Sequence, residues 1–146
     1  MTADQGKLKG GVERAINKLK SLFGPDNVHF VTDGSGGAYV VVLNVRLEDQ
    51  YLEPTTWFGF QIVHNSPFAD TYPHYVRPDL QLNDGSAPGA PISGPVAWDG
   101  LAAGLGKIVG AETAFQISRR SNHRTDDGVE TPVEKLIKVA AWLNSR

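Results

Sequence analysis

The sequence predicts a single α+β domain in which helices pack on one antiparallel sheet, and three features support this. An amphipathic helical pattern opens the chain, strand patterns joined by short turns follow it, and a second amphipathic helical pattern closes it. Strands joined in this way form an antiparallel meander, whose buried face the helices then cover. The 146 residues suffice for one domain, so residues 1–146 are treated as one unit.

The first helix is predicted from apolar residues that recur at spacings of three and four. These residues are Leu8, Val12, Ala15, Ile16, Leu19, Leu22 and Phe23. Gly24-Pro25 should end the helix, because glycine fits its C-terminal cap and proline cannot continue it. The basic residues of this segment lie mostly off the apolar stripe, which favours a solvated face over a docking face for an acidic partner.

Three strands are predicted next, at residues 28–31, 38–47 and 57–63, with a glycine-rich turn at 33–37 between the first two. Strand alternation places Leu43, Val45 and Leu47 on one face of the second strand. The same rule places Phe58, Phe60 and Ile62 on one face of the third strand.

The middle of the chain is rich in proline and glycine. Residues 64–78 contain three prolines, too many for a central strand, whereas residues 79–82 could form a fourth strand at an edge. Residues 83–110 contain seven of the 16 glycines and three of the nine prolines, which predicts a long functional or mobile loop. Within it, residues 101–109 could form a short helix weakened by glycine.

The last helix has a clear start. Thr131, Pro132 and Glu134 occupy the N-cap, first and third positions of a capping box. Its apolar stripe is Val133, Leu136, Ile137, Ala140 and Leu143. Residues 114–118, which precede it, fit a short strand and a helical turn equally well.

Composition excludes several classes of function. The 14 Lys+Arg and 16 Asp+Glu residues give a net charge of −2, so we expect neither a nucleic acid nor a membrane as partner. With no cysteine, the chain can form no disulfide, thiolate metal site or cysteine nucleophile. No signal peptide or membrane-spanning stretch is evident, which predicts a cytoplasmic protein.

No motif of the common hydrolases, zinc proteases or nucleotide-binding proteins is present. The four histidines do not pair at metal-ligand spacing, so we expect no metal and no cofactor. A Ser–His–Asp arrangement could be assembled from many residues, so the sequence specifies none.

One stretch points to a family. An aromatic strand is followed by Pro67, by Tyr72-Pro73, by Pro78 and by the short apolar segment 79–82. This pattern resembles the ubiquitin-conjugating (UBC) fold, in which the third strand runs through a Tyr-Pro motif into a proline-bounded fourth strand. The order of helices and strands along nearly the whole chain is similar as well.

Within that superfamily, the chain is most similar to the bacterial branch called prokaryotic ubiquitin-conjugating-like family E. The similarity lies in the L-x-L-x-D-G-x-x-P turn at 80–88, the segment FQISRRSNH at 115–123 and the DDG sequence at 126–128. The resemblance implies a place in a bacterial ubiquitin-like pathway. It implies a ubiquitin-like protein, an adenylating activating enzyme, or both, as partners.

The chain departs from that family in having no cysteine to carry a thioester. The favoured interpretation is a non-catalytic adaptor, a pseudoenzyme that binds a modifier or its activating enzyme. The second is a conjugating enzyme whose cysteine has been replaced, or whose acceptor is a serine such as Ser86 or Ser93. The third is an interaction domain of unrelated function on the same fold. Enzymatic activity is therefore undecided, and the balance is against it.

Eight residues are candidates for binding: His64, Tyr72, Asp84, Ser86, Trp98, Arg119, Arg120 and His123. For the first four, a structural turn is the simpler interpretation, although the resemblance implies that a modifier's tail lies beside 84–86. For the arginines, solvated loop charge is the simpler interpretation, and the alternative is a small basic patch for a carboxylate terminus or an acidic partner surface. Trp98, inside the glycine-rich segment, is the tryptophan expected to contact a partner. His64 and His123 are the candidates for acid–base chemistry.

Overall fold

The computed structural model describes residues 7–66, 69–119 and 131–146, and it confirms the α+β class. The helices and strands are α1 (Gly10–Phe23), β1 (Val28–Thr32), β2 (Ala38–Arg46), β3 (Thr55–Ile62), β4 (His74–Val76), β5 (Ile92–Val96), α2 (Gly106–Val109), β6 (Ala114–Ile117) and α3 (Pro132–Asn144). A 3-10 turn (Pro25–Asn27) precedes β1, and a π-helical turn (Leu101–Leu105) precedes α2. The six strands form one antiparallel sheet in the order β1-β2-β3-β4-β6-β5.

One face of the sheet is covered by α1 and α3, and we call it the helix face. Val12, Ile16 and Leu19 of α1 pack here with Leu136 of α3. The sheet contributes alternate residues, among them Phe60, to the same core. This arrangement is the one that the two amphipathic patterns predict.

The opposite face is covered by residues 98–111, which we call the Trp98 segment. Trp98 is only 6% exposed and packs with Val41, Trp57 and Leu105 in a second core. A Cβ atom on Gly59 would lie 2.3 Å from the indole, so only glycine lets the ring approach the sheet this closely.

The prediction for the fourth strand is wrong in position. The meander does have four strands, but the fourth is His74–Val76, a central strand between β3 and β6. Its flanking prolines, Pro73 and Pro78, lie outside the three paired residues and therefore remove no hydrogen bond from the ladder. Residues 79–82 form no strand, and Leu82 makes only an isolated bridge with Tyr51.

The segment 83–110 is not one continuous loop. It contains β5, and its last third forms the predicted helical segment as a π-helical turn followed by α2. The alternatives at 114–118 resolve in favour of a strand, β6, which pairs with both β4 and β5.

Three details of side-chain placement also differ from the prediction. Ile137 is 50% exposed, and Lys135 and Val139 are buried in its place. Leu22 is likewise exposed near the end of α1.

The predicted capping box of α3 is confirmed, with hydrogen bonds of 3.0 and 3.2 Å between Thr131 and Glu134.

The third difference in side-chain placement lies in β2, where Leu43 does not lie on the same face of the sheet as Val45 and Leu47. The register shifts between Val42 and Val45, and the intervening Asn44 has a positive φ of 59°. This irregularity reverses the alternation, so Leu43 joins the second core while Val45 and Leu47 remain on the helix face.

Candidate binding surface

The end of α3 is held against the loop between β2 and β3. The buried Tyr51 hydroxyl donates a 2.7 Å hydrogen bond to the carbonyl of Leu143. The Gln50 amide donates to the carbonyl of Asn144 at 2.7 Å. The side chain of Asn144 in turn accepts from the Glu48 amide and donates to the Arg46 carbonyl. Because the last carbonyls of a helix lack partners within it, these bonds fix the position of the helix end.

Two arginines meet on a tryptophan at this helix end, and we call Arg119, Trp142 and Arg146 the arginine–tryptophan surface. The guanidinium carbon of Arg119 lies 4.6 Å from the Trp142 ring centroid, and that of Arg146 lies 4.9 Å from it. Cation–π attraction of this kind orients each guanidinium. Within the described ranges, neither arginine forms an ion pair with a carboxylate.

Arg146 links this surface to the loop at 82–90. Its guanidinium donates a 3.0 Å hydrogen bond to the carbonyl of Ala90. It also borders an open groove of about 410 Å³ that is lined by Gln50, Asp84 and Gly89, among others. Arg146 therefore belongs both to the groove and to the arginine–tryptophan surface.

Asp84 sets the shape of that loop. Its carboxylate accepts hydrogen bonds from the amide and the hydroxyl of Ser86, at 2.9 and 2.5 Å. These bonds lower the pKa of Asp84, so the carboxylate is a poor proton acceptor at neutral pH. Gly85 between them has a positive φ of 85°, which the turn requires.

The structure brings three of the eight candidates, Asp84, Ser86 and Arg119, to this region. His64 is exposed in the turn after β3, close to Gly36, and Tyr72 is half-buried before β4. Arg120 and His123 lie outside the described residues. Trp98 lies in the second core, stacked on Tyr75 with ring centroids 5.1 Å apart, so packing occupies its ring.

Sequence reasoning missed Trp142 and Arg146 as members of the surface. Their spacing of four residues at the end of the predicted helix was the available signal, although Arg146 itself lies two residues beyond α3. Arg119 gave no comparable signal, since it follows β6 and meets Trp142 only in the folded chain.

A buried polar cluster lies between β4 and α3, on the helix face. The Lys135 ammonium lies 2.8 Å from the Asp70 carboxylate, and both side chains are largely buried. His74 is fully buried beside the rings of Phe58 and Phe60, and neither of its ring nitrogens has a hydrogen-bond partner among the described residues.

Burial, and to a smaller extent the positive charge of Lys135, lower the pKa of His74 to about 3 against the opposing effect of Asp70. The imidazole is therefore neutral at physiological pH and in contact with apolar rings, which suits packing rather than proton transfer. In the part of the chain that the structure describes, no three His, Cys, Asp or Glu side chains are grouped as a metal site would require.

No helix in the described ranges is both long and apolar enough to cross a bilayer. No family model matches the chain, and neither a curated protein nor a solved structure matches it.

Proposed function

We propose that the chain is a non-catalytic binding module of the ubiquitin-conjugating-like type, which holds the carboxylate-ending tail of a partner protein. The observation that carries this proposal is the arginine–tryptophan surface. Two guanidinium groups are oriented by one indole ring and have no acidic partner among the described residues, and one of them, that of Arg146, borders a groove.

The chemistry of the surface fits a carboxylate. A guanidinium presents parallel N–H donors that match the two oxygens of a carboxylate, and such charge-assisted bonds are stronger than neutral ones. Because Trp142 already restrains both arginines, less side-chain freedom is lost when a ligand binds. An extended tail could lie along the groove beside Asp84 and end at Arg146 or Arg119.

Binding is a better fit than group transfer. The chain has no cysteine, and the Ser86 hydroxyl donates its proton to a carboxylate whose lowered pKa makes it a poor base. A serine nucleophile needs an effective general base, which Asp84 does not provide. A cytoplasmic bacterial pathway with a ubiquitin-like protein or an adenylating enzyme as partner belongs to the same proposal and rests on the motif resemblance.

The direct test is calorimetric titration with a mixture of short peptides that end in a free carboxylate, compared with the same mixture ending in amides. We expect the amides to bind at least about 10-fold more weakly, because the charged hydrogen bonds are lost. Arg119→Gln and Arg146→Gln should each weaken binding of the acids, whereas Arg14→Gln, on the distant α1, should not. Equal binding of acids and amides would contradict the proposal.

A second experiment separates binding from transfer. The chain is recovered from lysate of its source organism with ATP present, and its intact mass is measured before and after denaturation. A partner that is present only under native conditions supports the binding module. A modifier that survives denaturation and leaves on hydroxylamine treatment would identify an ester-linked carrier, and the non-catalytic interpretation would be wrong.

A further inference from the structure

The two edges of the sheet are built differently. At the β5 edge, Pro95 lacks an N–H donor, Gly94 has a φ of 118°, and the register with β6 shifts between Ser93 and Val96. Such features prevent an edge strand from pairing with another chain. The β1 edge (Val28–Thr32) contains no proline, glycine, lysine or carboxylate, and its register with β2 is unbroken.

The outward-facing backbone groups of β1 follow from its hairpin. At the turn, the Asp33 amide donates to the Gly37 carbonyl at 3.1 Å. Because hydrogen-bonded pairs alternate along antiparallel strands, Val31 and His29 also direct their backbone groups to β2. Phe30 and Thr32 must then direct their N–H and C=O groups away from the sheet. No other strand pairs with this edge in the described part of the chain.

Phe30 adds an apolar side chain at the centre of this open edge. It is 36% exposed and belongs with Val28 to the side chains on the helix face, where the Lys20 ammonium lies 5.6 Å from its ring centroid. The strand thus offers open hydrogen-bonding groups and an exposed aromatic ring at the same residue.

We infer that β1 pairs with β1 of a second copy of this chain, antiparallel and with Phe30 on the two-fold axis. In this register, Phe30 faces Phe30 and the two residues exchange N–H to C=O hydrogen bonds. Val28 faces Thr32, and its carbonyl can accept from the Thr32 amide. The Val28 amide is already bonded to the Pro25 carbonyl and is not needed.

The strand is complementary to itself, which is why a second copy is the occupant. The symmetric register places Val28 opposite Thr32 and His29 opposite Val31. Because the strand contains no carboxylate and no lysine, no pair of like charges of these types faces across the interface. A different protein would not be selected by charge, because the strand contains no lysine, arginine, aspartate or glutamate. An interface centred on one short strand falls below the roughly 1,200 Å² of stable complexes, so the dimer should form only at high concentration.

Sedimentation velocity on the full chain, from micromolar to millimolar concentration, tests the inference. The sedimentation coefficient should rise towards that of a dimer. Phe30→Lys should weaken dimerisation at least ~10-fold, because like charges then face each other across the axis. Leu52→Lys and Ile137→Lys are matched controls at exposed apolar positions and should leave dimerisation unchanged. A chain that stays monomeric at every concentration would overturn the inference.

Amide hydrogen exchange at the same concentrations locates the interface. The Phe30 and Thr32 amides should become protected as concentration rises, whereas the Val31 amide, which faces β2, should be protected throughout. If the mass doubles while exchange at Phe30 and Thr32 does not slow, the dimer uses another surface and the inference is wrong.

Discussion

The two faces of the sheet are buried by different means. On the helix face, two helices contribute many aliphatic side chains, and this core also accommodates a buried ion pair and His74. On the other face, one short segment is anchored by Trp98, whose ring rests on Gly59 and stacks on Tyr75. Burial on the helix face is therefore shared among many residues, whereas burial on the opposite face depends on one.

The largest effect should come from Trp98→Ala. The substitution removes the ring that joins the Trp98 segment to the sheet, and large-to-small changes of this kind cost about 3–5 kcal/mol of unfolding free energy. Trp142→Ala, at a half-buried position on α3, should cost clearly less. Urea unfolding at neutral pH measures both, and equal losses would contradict the proposed dependence on one residue.

Gly59→Ala checks the same contact from the other side. The new Cβ would lie 2.3 Å from the indole, so the ring must shift, and overpacking costs about 1–3 kcal/mol. An unchanged unfolding free energy would mean that the Trp98 segment adapts freely.

On the helix face, the largest effect should come from Asp70→Asn. The buried Lys135 ammonium would lose the carboxylate 2.8 Å away, and breaking one side of a buried pair costs on the order of 3 kcal/mol. Asp79→Asn is the matched control, because its 2.6 Å pair with Arg77 is much more exposed and should contribute less than about 1 kcal/mol. Urea unfolding of the two variants gives the difference, and equal losses would show that burial does not distinguish the pairs.

His74 should make stability depend on pH. Its pKa is about 3 in the folded chain and 6.5 when unfolded, so between these values the unfolded chain binds a proton that the folded chain does not. The stabilisation is complete above pH 6.5 and falls as pH decreases, by about 2 kcal/mol at pH 5.

His74→Leu should abolish this decrease, because leucine binds no proton. At pH 7.5 its unfolding free energy should lie within about 1–2 kcal/mol of the parent chain, since the loss of two unpartnered nitrogens offsets the changed packing. Urea unfolding at pH 7.5 and pH 5 measures the slope, with the exposed His64→Gln as control. A variant that keeps the parent slope would contradict the assignment.

The sequence predicts the parts of the fold in which burial repeats with a regular period. The two amphipathic helices and the alternation of β3 follow from that repetition. The strand His74–Val76 does not, because three residues are too few to display a period and the flanking prolines suggest a loop. The arginine–tryptophan surface escapes prediction for another reason. Arg119 and Arg146 are far apart in sequence, and only the pairing of β6 and the placement of α3 bring them to one ring.

The smallest effect should come from substitutions at Asn44, where the alternation of β2 side chains between the two faces of the sheet reverses. Its φ of 59° disfavours residues with a Cβ, although asparagine tolerates this region better than most, and its amide donates to Asn27 at 2.9 Å. Asn44→Gly should therefore change the unfolding free energy by less than ~0.5 kcal/mol, because relief of strain offsets the lost hydrogen bond. Asn44→Ala should cost about 1 kcal/mol, since it loses the hydrogen bond and keeps the strain. Urea unfolding measures the unfolding free energy of both variants. If the alanine variant is as stable as the glycine variant, the positive φ is not what places Leu43 and Val45 on opposite faces of the sheet.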